Sequence, residues 1–60
     1  MGEKIRLLRV RDGISQDEFA KKLGVSQIYI SYIERGLKQP SVKLLKSIAD
    51  YFKVTTDSLY

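Results

Sequence analysis

Three glycines, Gly13, Gly24 and Gly36, are each followed after a short gap by a serine: Ser15, Ser26 and Ser41. This punctuation constrains the chain more than any other feature. Glycine adopts the left-handed conformation that ends a helix, and a serine oxygen accepts from the free amides that begin one. Between these marks apolar residues recur at helical spacing. No stretch alternates apolar and polar residues between hairpin turns, so the chain is predicted all-α.

The first helix is predicted over about Gly2 to Asp12, with Ile5, Leu8 and Asp12 on one face, Arg9 beside it and Gly13 at its end. In "ISQDEFAKKLG", Ser15 and Glu18 make an S-x-x-E capping box, and Asp17 and Glu18 suit the positive end of the helix dipole. Phe19, Ala20 and Leu23 face inward, and Gly24 ends this second helix. Only Val25 and the capping Ser26 precede the third helix. Two short helices joined by a tight glycine-containing turn are the helix-turn-helix signature.

After Gly36 the loop "LKQP", with the single proline Pro40, runs to Ser41. The fourth helix, about Val42 to Phe52, places Val42, Leu45, Ile48, Ala49 and Phe52 on one stripe. A last turn, capped by Thr55 or Thr56, closes with Leu59. Leu7 and Val10 point away from the first helix's stripe, and Leu44 and Tyr51 flank that of the fourth. All four are candidates for a partner surface.

The third helix is unusual. Ile30 and Ile33 fall on one side with Glu34 beside them, while Ile28, Ser31, Tyr32 and Arg35 fall on the other. That second face suits neither a core nor a plain solvent surface. The second helix of a helix-turn-helix lies in the DNA major groove and reads bases from its N-terminal part. Gln27 suits a bidentate pair with adenine, Ile28 a thymine methyl, and Ser31 close approach to base or phosphate. Tyr32 suits a pyrimidine or, through its hydroxyl, the backbone. No carboxylate lies on this face to repel phosphate.

Composition supports a polyanionic partner. The 60 residues carry a formal charge of +4 and a pI near 9.6, which suits nucleic acid or another anionic surface. A chain this short buries only about 60% of its unfolded surface. Without cysteine it has no disulfide or thiolate metal site to support that thin core, and the lack fits a reducing cytoplasm. The absence of both histidine and cysteine leaves few candidates for general-base or nucleophilic chemistry. There is no glycine-rich phosphate loop, no metal-ligand spacing and no pair of carboxylates on one helix face. The expectation is a non-enzyme with no cofactor, no metal and no evident small-molecule ligand. "MGEKIRLLRV" has no apolar signal core and lacks the Ser or Thr of a myristoylation motif. No apolar run approaches the ~18 residues of a membrane span.

The run "LRVRDGISQDEFAKKLGVSQIYISYIERGLKQPS" resembles the Cro/C1-type (phage-repressor-like, XRE family) helix-turn-helix domains. Leu8-Arg9, Gly13, Ser15-Gln16, Ala20 and Leu23-Gly24-Val25-Ser26 carry the likeness. Ile30-Ser31, Ile33-Glu34, Gly36 and Pro40-Ser41 continue it, and "LLKSIADYFKVTTDSLY" is similar to the family's fourth and fifth helices.

The resemblance implies one compact five-helix, lambda-repressor-like domain over residues 1–60. It implies a cytoplasmic, nucleoid-associated regulator of bacterial or phage origin. Such a protein binds a palindromic DNA operator, usually as a dimer. The small area of a 60-residue chain points to a weak homodimer strengthened on DNA, and a domain that can block polymerase points to a repressor. By position, Gln27, Ile28 and Tyr32 are its main base readers, with Ser31 on the same face. Gln16, Ser26, Tyr29, Lys38 and Lys43 hold phosphates, and Arg35 joins them by its face. Arg9 and Glu34 occupy positions often ion-paired in the family. Tyr51, Val54, Thr55, Leu59 and Tyr60 correspond to its dimer contacts. Ile28 departs from the family's usual polar reader, which shifts specificity there toward thymine methyls and shape. The alternative is a protein-interaction or regulatory module on the same fold, as in an antitoxin or a peptide-sensing regulator. Gln27 and Ser31 interrupt the continuous apolar patch that such docking favours.

Overall fold

A computed structural model describes all residues, Met1–Tyr60. It contains no strand. Four α-helices follow one another: α1 (Gly2–Arg11), α2 (Gln16–Leu23), α3 (Gln27–Glu34) and α4 (Val42–Phe52). Where a fifth helix is expected there is only a 3-10 turn, Thr56–Leu59, so the five-helix expectation is corrected to four α-helices and one short turn. So few residues form little more than one turn, and short helical pieces take the tighter 3-10 form readily. Thr55, not Thr56, caps it, accepting from the Ser58 amide at 3.3 Å.

Each helix after α1 starts on a serine. Ser15, Ser26 and Ser41 accept from the amides of Glu18, Tyr29 and Leu44, each at 3.1 Å. The Ser15 box is half-formed: the Glu18 carboxylate makes no return bond to the Ser15 amide. All four α-helices end in one pattern, in which a left-handed residue and its successor donate to carbonyls of the last turn. The left-handed residue is Gly13, Gly24 or Gly36 in α1–α3, and Lys53 (φ 59°) in α4. The successors Ile14, Val25 and Val54 pack against the core.

The core comprises Ile5, Phe19, Ala20, Ile30, Ile33, Leu44, Leu45, Ile48, Ala49, Phe52 and Leu59. Phe19 of α2 meets Phe52 of α4 at 5.3 Å between ring centroids, and Tyr51 packs edge-on against both. Two expectations for α4 are corrected. Val42 is 78% exposed, and Leu44 is buried. At ~100° per residue, the stripe through Leu44, Leu45, Ile48, Ala49 and Phe52 centres roughly 90° away from Val42. Leu44 is therefore no partner surface. Leu59 is fully buried, so it closes the core and is withdrawn from the dimer contacts. No helix is long and apolar enough to cross a membrane.

Candidate nucleic-acid interface

The α3 helix is anchored from behind. Ile30 and Ile33 are fully buried, and Glu34 lies beside them with its carboxylate side chain only 1% exposed. A lone carboxylate in that position would carry a heavy desolvation cost. Arg9 of α1 meets it with two bonds, Nε to Oε2 at 2.7 Å and Nη2 to Oε1 at 3.1 Å. The guanidinium also donates to the Ile14 carbonyl at 2.8 Å, so one side chain joins α1, α3 and the turn before α2.

The same carboxylate orients the exposed end of α3. Gln16, first residue of α2, donates from Nε2 to Glu34 Oε1 at 3.0 Å. A carboxylate only accepts, so the Gln16 amide must turn its nitrogen inward and its oxygen outward. That oxygen accepts from Gln27 Nε2 at 3.2 Å. Gln27, itself exposed, therefore keeps one N–H and its carbonyl oxygen without a partner in the protein. An adjacent donor and acceptor match the N7 and N6 edge of adenine.

The other residues singled out from the sequence distribute along this surface. Ile28 is 64% exposed, and Ser31 and Tyr32 are half-buried on the same side. Ser26 accepts from the Tyr29 amide and keeps its hydroxyl hydrogen to donate to a phosphate. Tyr29 leans on the core and is half-buried. Arg35 caps the end of α3. Lys43 is exposed in the first turn of α4.

The expected dimer residues are less uniform. Tyr51 is engaged with Phe19 and Phe52, Val54 packs partly on the core, and Thr55 serves as a cap. Tyr60 is exposed. Leu7 and Val10 are exposed too, and Leu7 lines a shallow cleft with Lys4, Leu8, Val54 and Ser58.

Two features escape sequence reasoning. A Cβ on Gly2 would run into the carbonyl oxygen of Ile33, so glycine lets the start of α1 press against the end of α3. Nothing local in the sequence reveals this. The Gln16–Gln27 bond also escapes, although a signal exists: each glutamine directly follows a capping serine, so the two sit at equivalent places on adjacent helices.

A family model described as helix-turn-helix matches residues 5–59. The chain is 38% identical to the HTH-type transcriptional regulator YazB of Bacillus subtilis over 58 residues, covering 97% of this chain and 84% of that one. Among solved structures it superposes on SinR, master regulator for biofilm formation, in complex with DNA, with a TM-score of 0.89 and 34% identity over the whole of both chains. It superposes on the restriction-modification controller protein C.AhdI from Aeromonas hydrophila with a TM-score of 0.87 and 27% identity, covering 98% of this chain and 86% of that one.

Proposed function

The chain belongs to the helix-turn-helix family, and from that premise we propose that it regulates transcription by sequence-specific binding to double-stranded DNA, with α3 in the major groove. One observation carries this reading most strongly. The buried Arg9–Glu34 pair fixes Gln16, and Gln16 fixes the free amide edge of Gln27 outside the protein. A plain solvent-facing glutamine needs no such orientation. SinR, similar over its whole solved chain, is a DNA complex.

In this reading Gln27, Ile28, Ser31 and Tyr32 face the bases. Gln16, through the free amides at the start of α2, and Ser26, Tyr29, Arg35, Lys38 and Lys43 face the flanking phosphates. Two copies of the 1–60 domain meet a palindromic operator as a weak dimer in the cytoplasm, through Tyr60, Thr55, Val54 and the rim of Tyr51. Leu7 extends that surface on the α1 side. A DNA-bound domain can act by blocking polymerase, which supports the repressor reading.

The test is selection of DNA from a random pool, followed by affinity titration against salt. A palindrome with half-site centres about one helical turn apart fits the reading. Eight phosphate contacts give a slope of log affinity on log salt near −7. A pool that yields no enriched sequence overturns it.

A further inference from the structure

The end of α3 gathers positive charge on one aromatic ring. Arg35 Cζ lies 5.5 Å and Lys38 Nζ 5.9 Å from the centroid of the Tyr32 ring, both within cation–π range. The backbone brings them there. Gly36 takes the left-handed conformation, and the amides of Leu37 and Lys38 both donate to the Tyr32 carbonyl, at 2.8 and 3.3 Å. The chain thus folds back over the residue that carries the ring. Leu37 differs from its counterparts at the other helix ends, because it stays 64% exposed.

Neither cation has an acidic partner. The ion pairs of the molecule are Arg9–Glu34, Arg11–Asp12 and Lys21–Asp17. Arg35 and Lys38 are both exposed, on the side of α3 that carries Ile28. Bringing two unpaired cations to one ring costs repulsion, which the ring's negative face offsets in part. An anion close by would offset the rest.

We propose that Tyr32 acts chiefly as a positioning residue, its ring holding Arg35 and Lys38 ready for two neighbouring DNA phosphates. This rests on the DNA-binding reading above and assigns Tyr32 a task distinct from base recognition. The ring lowers the mobility of two long side chains before DNA arrives, so less freedom is lost on binding.

The experiment titrates wild type, Tyr32→Phe, Tyr32→Leu and the double variant Arg35→Ala/Lys38→Ala against a short mixed-sequence DNA duplex over a series of potassium chloride concentrations. Thermal melts confirm that each is folded. For Tyr32→Leu the slope of log affinity on log salt should become shallower by about 1 to 2 units, approaching that of the double variant. Its affinity at physiological salt should fall about tenfold. Tyr32→Phe keeps the ring and should keep the wild-type slope. If Tyr32→Leu does not fold, Tyr32→Met removes the ring in the same way.

An unchanged slope in the ringless variant overturns the proposal. So does a Tyr32→Phe variant that loses as much as Tyr32→Leu, which would assign the role to the hydroxyl. Failure of the underlying DNA reading is distinguishable, because wild type would then enrich no sequence from a random pool, whatever its salt slope on the mixed duplex.

Discussion

The contacts of α1 with α3 and of α2 with α4 are built from different materials. The second is aromatic: the rings of Phe19, Tyr51 and Phe52 pack against one another with centroids 5.1, 5.3 and 5.6 Å apart. The first is polar: Arg9, Glu34, Gln16 and Gln27 form one connected chain of hydrogen bonds, ending at the exposed start of α3. Apolar packing is strong but non-directional. Hydrogen bonds to a buried charge have defined geometry. The α2–α4 contact therefore adds stability without fixing direction, and the α1–α3 contact sets how α3 presents its side chains.

Truncating the apolar side should have the largest effect. Phe19→Ala removes a fully buried ring, a change worth about 3–5 kcal/mol. At roughly 0.05–0.15 kcal/mol per residue, a chain this short has little more stability than that to lose. The expected result is loss of the cooperative thermal transition by circular dichroism. A variant that melts within a few degrees of wild type would show that the aromatic cluster is not the main support.

Breaking the polar side should cost less stability and more function. Glu34→Ala strands the Arg9 guanidinium, 13% exposed, and frees Gln16. Removing one partner of a buried pair costs about 3–5 kcal/mol, and Arg9's partial contact with water puts this case near the lower bound. Gln16→Ala is the sharper probe, because it leaves the ion pair whole. It should lower the melting temperature by only about 4–8 °C, the shift for ~1 kcal/mol. It should also relax base preference opposite Gln27, where a good bidentate contact is worth about 1–3 kcal/mol of discrimination. Base preference that survives Gln16→Ala would mean that Gln27 needs no orienting partner.

The two contacts also differ in how far the sequence reveals them. Helix ends and caps were legible from Gly13, Gly24, Gly36, Ser15, Ser26 and Ser41, because these act through local backbone geometry. The buried side of α3 was legible from the spacing of Ile30 and Ile33. The sequence does not tell Val42 from Leu44, because a few residues locate the centre of a helix's apolar stripe poorly and the packing partner decides its edges. The resemblance puts Leu59 at the dimer contact, and an isolated apolar residue in a short turn has no periodicity to show that it faces the core. Gly2 and the clustering on Tyr32 depend on segments distant in sequence or on the path of a loop. Arg9 and Glu34 were singled out from their faces and from family resemblance, but Gln16 joins them only in three dimensions.

The smallest predicted effect compares the ends of α3 and α4. Both close with the same pair of bonds, from Gly36 and Leu37 to Ile33 and Tyr32, and from Lys53 and Val54 to Asp50 and Ala49. Only Lys53 bears a side chain in the left-handed conformation, at φ 59°. An L-residue there pays roughly 1–2 kcal/mol for the clash of its Cβ with the following carbonyl. Glycine removes the clash but loses roughly 0.5–1 kcal/mol more backbone entropy on folding than a residue with a Cβ. The difference favours Lys53→Gly by about 0.5 kcal/mol, which should raise the melting temperature by about 2–4 °C. Lys53 is exposed and forms no ion pair, so little else opposes the gain. A melting temperature that stays level or falls would mean that the lysine side chain stabilises the folded chain by as much as its backbone conformation costs.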